Sequence, residues 1–352
     1  MSYAETTNPN APVSMVEKWD KTFAESSRVE HRKVSFHNRY GITLVGDLYL
    51  PKNRGQQKLA AIAVSGPFGA VKEQSSGLYA QTMAEQGFVT LAFDPSYTGE
   101  SGGQPRNVAS PDINTEDFSA AVDFLGIQKE VDRNRIGILG ICGWGGMALN
   151  AAAMDTRIKA VATSVMYDMS RAMGHGVGDG KDRYSTADRR AVLQYLNEQR
   201  WKDAESGTFA HGGHDISVDQ NGKVSAAERI LPQTLPASPH PVLKEFFDYY
   251  RVPRGFHERS VNSTGAWTAT MPLSFMNMPL LSYANEITIP TLIVTGENAH
   301  SRYFAEDAYK AVGSKEKELV VVPGANHVDL YDNAAGKIPF ARFEQFFKTS
   351  LK

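Results

Sequence analysis

A series of short, mostly apolar segments, alternating with stretches of helical spacing, constrains this chain more than any other feature. Leu59-Ala60-Ala61-Ile62-Ala63-Val64 is continuously apolar, as expected of a strand buried on both faces of a parallel sheet. Phe88-Val89-Thr90-Leu91-Ala92-Phe93, Arg135-Ile136-Gly137-Ile138-Leu139-Gly140 and Ile158 to Met166 predict further strands of the same kind. Helices are predicted over Asn114 to Gln128 and Gly145 to Met154 between them. Such alternation implies right-handed crossovers and a doubly wound, mostly parallel α/β sheet. Ahead of it, Val29 to His37 and Gly41 to Leu50 alternate apolar and polar residues, predicting two antiparallel strands joined by a turn near Asn38.

The rhythm stops from about Asp168 to Glu286 and resumes with Thr291-Leu292-Ile293-Val294-Thr295 and Glu318-Leu319-Val320-Val321-Val322. A structureless loop of that length is implausible inside a packed domain, so a folded insertion is expected after the sixth strand. Helical stretches at Ala187 to Arg200 and Pro241 to Tyr250, with Trp201, Trp267, Met271, Phe275, Met276 and Met278, predict a large, mainly helical lid. The expected division is an N-terminal arm over 1–28, a catalytic domain over 29–167 and 287–352, and a lid over 168–286. The arm should carry an amphipathic helix around Val13 to Phe23.

Charge narrows the partners. With 37 basic and 39 acidic residues the chain offers no electrostatic footprint for nucleic acid or an anionic membrane surface, so a small molecule is expected. No apolar run approaches the roughly 20 residues that cross a bilayer. A single cysteine and a polar stretch from Met1 to Pro12, without a secretory pattern, point to the cytoplasm. Neither a cofactor nor a metal is expected. Ser217 to Glu228 nearly spells a calcium loop, but Ser217 stands where an aspartate is normally required. Asn221-Gly222 between two alternating stretches predicts a β-hairpin there instead. His211 and His214 lack a third ligand and read as polar loop residues.

The chemistry concentrates at Gly140-Ile141-Cys142-Gly143-Trp144-Gly145-Gly146, between a buried strand and a helix. That is the setting of a nucleophile elbow, whose crowded turn demands small neighbours. At a helix N-terminus, Cys142 should form its thiolate more easily than a free cysteine. Trp144 departs from the usual glycine two residues after the nucleophile. Gly99-Glu100-Ser101-Gly102-Gly103 matches the Gly-x-Ser-x-Gly letters, but Asp94 to Thr98 separate it from the preceding strand and Pro105 and Arg106 follow where a helix should start. Ser101 is therefore the rival nucleophile.

His327, in Pro323-Gly324-Ala325-Asn326-His327-Val328-Asp329, lies beyond the last predicted strand, where catalytic groups gather in open α/β sheets, and is the expected base. The acid should follow the strand Thr291 to Thr295, where Glu297 is the carboxylate within the turn; Asp168 is the reserve. Gly143 supplies one oxyanion donor. The second comes from Ser65-Gly66-Pro67-Phe68-Gly69, where Pro67 has no N–H, leaving Phe68, or failing it Gly69.

Taken together, Gly69-Ala70-Val71-Lys72-Glu73-Gln74, Ala92-Phe93-Asp94-Pro95-Ser96 with Gly99-Glu100-Ser101, Gly140-Ile141-Cys142-Gly143 and Gly324-Ala325-Asn326-His327-Val328-Asp329 resemble the dienelactone-hydrolase-like branch of the α/β-hydrolases. That branch includes bacterial hydrolases and the fungal polyketide transferases and thiohydrolases with cysteine at the elbow. The resemblance implies the α/β-hydrolase fold, acyl-enzyme chemistry on an ester, lactone or thioester, and a Cys–His–Asp triad. In many relatives the acid falls where this chain has His300, which raises Glu297 as its substitute.

Overall fold

The computed structural model describes residues 13–178 and 180–352. The polar stretch Met1 to Pro12 lies outside them. Along the chain, β1 (Val29–His37), β2 (Thr43–Pro51) and β3 (Leu59–Ser65) lead into α1 (Ser75–Glu85) and β4 (Val89–Phe93). Then come α2 (Pro111–Gly126), β5 (Val131–Ile141), α3 (Gly143–Met154) and β6 (Ile158–Ser164). The eight-stranded sheet is completed by β11 (Thr291–Gly296) and β12 (Lys317–Val322), flanked by α9 (Arg302–Ala311) and α10 (Phe340–Ser350).

Strand order is β1-β2-β4-β3-β5-β6-β11-β12. β1 and β2, and β2 and β4, pair antiparallel, and every later neighbour is parallel. The sheet is the doubly wound one expected. Its two covered faces are visible on β5: a Cβ on Gly137 would run into Phe347 of α10, and one on Gly140, three residues on, into Ala148 of α3. Side chains an odd number of positions apart point to opposite faces, so helices cover both, and both glycines are there because helices approach the strand closely.

Between β6 and β11 lie α4 (Met169–His175), α5 (Thr186–Ser206), β7 (His211–Gly212), β8 (Ile216–Val218), β9 (Val224–Ala226), α6 (Pro241–Tyr250), α7 (Val261–Thr264), β10 (Trp267–Thr268) and α8 (Leu273–Met276). The segment is mainly helical. α5 begins at a capping box of Ser185 and Asp188 and ends at Gly207 in the left-handed conformation, so its limits are written locally. β8 and β9 form the expected hairpin, with Asp219 Oδ1 accepting from the N–H groups of Asn221 and Lys223 across its turn.

The helix expected around Val13 to Phe23 is absent: the arm is irregular throughout that stretch. Tertiary partners have displaced it. The Val16 N–H donates to Glu100 Oε1 (2.6 Å), the Thr22 N–H to the Glu73 carbonyl (2.9 Å), and the Lys21 ammonium to Asp47 (2.7 Å). A short amphipathic segment has too little intrinsic helicity to compete with such bonds.

Those partners belong to a buried ionic cluster. Lys72 Nζ meets Glu100 (2.6 Å), Asp94 (2.8 Å) and Glu73 (2.8 Å), and Lys33 meets Glu100 (2.8 Å) and Glu73 (3.3 Å). From the inserted segment, Arg259 reaches Glu73 (2.9 Å) and Asp20 (2.8 Å). Burial opposes the Lys72 charge, but Asp94, Glu73, Asp47 and Glu100 hold it protonated well beyond the usual lysine range.

Candidate active site

β5 ends at Ile141 and α3 starts at Gly143, so Cys142 alone turns the chain, at φ 57°, ψ −128°. A side chain with positive φ is costly, and it persists only where the surroundings over-determine it. They do here. The Cys142 N–H donates to the Ser164 carbonyl (2.9 Å), and its own carbonyl accepts from Gly145 and Tyr167 (both 2.9 Å). Val165 at φ 41° directly follows β6, and the Tyr167 side chain then packs on His300, Phe304 and His327. Gly143 has no room for a side chain, because a Cβ would lie 2.7 Å from Met169 and 2.8 Å from Phe68. Trp144 turns away from the site, edge-on to Phe93 and Phe118 in the core.

The backbone N–H groups of Phe68 and Gly143 and the Tyr331 hydroxyl face the Cys142 sulfur closely enough to favour its anion. The two oxyanion donors expected from sequence thus converge with Cys142. The thiolate expectation fails: burial pushes the Cys142 thiol above its ordinary range, and the pull of Tyr331, Phe68 and Gly143 on the anionic form only partly offsets it. Phe68 is held by stacking on Trp267 (4.6 Å) and edge contacts with Phe275 and His214 (both 5.8 Å). His214 is the loop residue expected, and its ring packs on Phe68.

His327 is fully buried, and its Nε2 lies 2.9 Å from Tyr331 Oη and its Nδ1 2.6 Å from Ser301 Oγ. Burial, reinforced by the nearby His300, depresses its basicity well below the usual histidine range. The resting thiol and imidazole are therefore both neutral, unlike the thiolate and imidazolium pair that cysteine at such a site can form.

Neither candidate carboxylate reaches the ring in the bonds just described. Glu297 is exposed and accepts from the Gly324 N–H (2.7 Å), clamping the turn that precedes the histidine. Asp168 caps α4, accepting from the Arg171 N–H and the Ser170 hydroxyl. Ser301, four residues after Glu297, occupies the partner position instead. Sequence offered only a faint signal, a serine in the turn beyond the strand Thr291 to Thr295. Ser101 bonds to neither His327 nor Ser301: its hydroxyl donates to the Asp94 carbonyl (2.7 Å) and accepts from the Val45 N–H (2.9 Å), fastening a loop.

Cys142 is only 6% exposed. A cavity of about 350 Å³ lined by Asp168, Ser170, Arg171, Phe275 and Met276 lies behind Phe275, and another of about 370 Å³ is lined by Ala299, His300, Arg302, Tyr303 and Glu306. Phe275, on the lining of the first, also packs on Phe68, and His300, on the lining of the second, also packs on His327.

A family model described as PET hydrolase-like matches residues 4–192, more than half of the chain. The chain belongs to the PET hydrolase-like family. This PET hydrolase-like chain is accordingly an α/β-hydrolase-fold enzyme of the hydrolase class, and the fold expected from sequence is the one observed. It is 58% identical to the uncharacterized protein PA2218 of Pseudomonas aeruginosa over 99% of this chain and 88% of that protein. The crystal structure of PA2218 superposes with a TM-score of 0.88 at 59% identity, covering 97% of this chain and 100% of the other. The polyketide transferase claH of Penicillium crustosum is 34% identical over 37% of this chain and 42% of its own. The thiohydrolase aneE of Aspergillus aculeatus is 34% identical over 40% and 41% respectively. Among the described residues no helix is long and apolar enough to cross a membrane.

Proposed function

We propose that this enzyme cleaves an ester, lactone or thioester of a small to medium hydrophobic acyl group through an acyl-enzyme on Cys142. The observation that supports it most is the convergence of the Phe68 and Gly143 N–H groups on the Cys142 sulfur. Two fixed backbone donors beside the attacking sulfur are what the carbonyl oxygen of a tetrahedral intermediate requires. Cys142 attacks the carbonyl, the oxyanion rests between the two N–H groups, and His327 takes the thiol proton and returns it to the leaving group. In the second half His327 activates water, which releases the acid. Ser301 orients the ring in place of Glu297 or Asp168.

The aromatic surroundings suit a hydrophobic acyl group: Phe68, which faces Cys142, packs on Trp267 and Phe275, and Tyr331 packs on Phe246 and Tyr250. Likeness to a thiohydrolase favours a thioester among the three substrates. The burial of Cys142 favours a second outcome of the same intermediate, transfer to an alcohol or amine, since excluding water prolongs the acyl-enzyme.

Product analysis with medium-chain acyl thioesters, with and without an alcohol acceptor, decides between them. Hydrolysis predicts free acid as the main product whatever the acceptor, whereas ester as the main product means transfer. If no substrate turns over and Cys142→Ala binds acyl ligands as tightly as the parent, the protein is a binder on a hydrolase scaffold.

A further inference from the structure

In the resting site nothing described above joins the sulfur of Cys142 directly to the ring of His327; a phenol stands between them. Tyr331 Oη is 2.9 Å from His327 Nε2, and the same hydroxyl faces the Cys142 sulfur closely enough for each to shift the other's pKa. The residue is 1% exposed, and its ring is locked edge-on by Tyr249 (5.3 Å), Tyr250 (6.0 Å) and His327 (5.2 Å). It follows His327 by four positions through the short turn Val328–Leu330, which returns its side chain to the same site.

We propose that the Tyr331 hydroxyl carries the proton between Cys142 and His327, making the machinery a Cys–Tyr–His relay steadied by Ser301 in place of Glu297 or Asp168. The proposal rests on the acyl-enzyme reading above. The hydrogen bonds can run in one direction throughout: the Cys142 S–H donates to Tyr331 Oη, the Tyr331 O–H to His327 Nε2, and the His327 Nδ1–H to Ser301 Oγ. As the sulfur attacks, its proton passes to Tyr331 while the phenolic proton passes to Nε2. The sulfur pair forms the S–C bond, and the carbonyl π pair moves onto the oxygen held by Phe68 and Gly143. On collapse the C=O bond reforms, the bond to the leaving group breaks, and the imidazolium proton returns through Tyr331 to the departing atom. Charges and protons balance without an outside reagent.

Burial and the neighbouring sulfur hold the Tyr331 phenol well above its ordinary range, so it shuttles a proton in a concerted step and does not rest as a phenolate. A neutral thiol and a neutral imidazole suit such a relay, because neither has to be ionised beforehand.

Tyr331→Phe keeps the ring and removes the relay. Two readouts separate this role from a structural one: iodoacetamide alkylation of Cys142 from pH 6 to pH 10, and turnover of two esters sharing one acyl group, one with a nitrophenol and one with an alkyl alcohol leaving group. The relay predicts that alkylation at pH 7 falls about tenfold to a hundredfold and recovers toward the parent at pH 10, where hydroxide removes the thiol proton. It also predicts a larger loss for the alkyl ester, whose leaving group needs the returned proton. Unchanged profiles, or an equal loss at every pH and for both esters, would overturn it. Alkylation needs no acyl substrate, so failure of the acyl-enzyme reading would show separately, as a parent Cys142 that alkylates by this pattern yet accepts no acyl group.

Discussion

Replacing His327 by glutamine will lower kcat/KM on acyl substrates by on the order of a thousandfold, with little change in KM. Glutamine fills similar space and can keep a bond to the Ser301 hydroxyl, but it cannot take up and return a proton. Cys142 starts as a protonated thiol because burial raises its pKa, so without an acceptor the attacking anion is not formed near neutral pH. The parent enzyme should hold its activity into mildly acidic solution, because burial and His300 keep His327 neutral below the usual histidine range. Its acid limb should therefore fall below about pH 6.5. Stability follows the same sign. Below about pH 6.5 the unfolded histidine binds a proton that the folded one refuses, so stability declines as pH falls from there toward the folded pKa, and no such loss arises above about pH 6.5. Urea unfolding at pH 7 and pH 5 should show a smaller loss for His327→Gln than for the parent.

Replacing Lys72 by methionine will destabilise the fold by about 3–5 kcal/mol, measured by urea unfolding, and will slow acylation as well. The side chain is fully buried and its ammonium serves Asp94, Glu73 and Glu100 at once. Methionine preserves the volume but leaves those carboxylates short of a cation, the expensive way to break a buried ionic group. The loss should reach the active site because Lys72 follows the oxyanion loop: its own N–H donates to Asp94 Oδ1 (2.8 Å), and the Ala70 N–H closes a turn on Pro67 (3.0 Å), next to Phe68. A change in stability with acylation fully intact would show that the loop is held by its aromatic contacts alone.

The parts of this molecule governed by local periodicity were legible in its sequence. The sheet strands, the two longest helices of the insertion and the hairpin at Asn221-Gly222 follow from apolar runs, caps and turn residues that act over a few positions. Cys142, Gly143, Phe68 and His327 could be picked out because each sits at a fixed offset from a strand end. The rest depends on which groups meet across the fold. Lys21, Lys33, Asp47, Glu73, Glu100 and Arg259 look like ordinary surface charges when read singly, and only folding buries them together. The same cluster draws the N-terminal arm out of the helix its spacing suggested. Glu297 was chosen by its place in the chain, yet its backbone turn points it to Gly324 while Ser301 faces His327. Tyr331 gave no signal as chemistry, since a tyrosine four residues past a histidine is common and only the buried turn aims it at the sulfur.

The central claim, that Cys142 carries the acyl group, is tested most directly by intact-protein mass spectrometry after brief mixing with acyl thioesters and activated esters of graded length. The parent and Ser101→Ala should each gain one acyl mass, mapped to Cys142 by peptide analysis and lost with time, and Cys142→Ala should gain none. An acyl group on Ser101, or turnover that survives Cys142→Ala, would contradict the account.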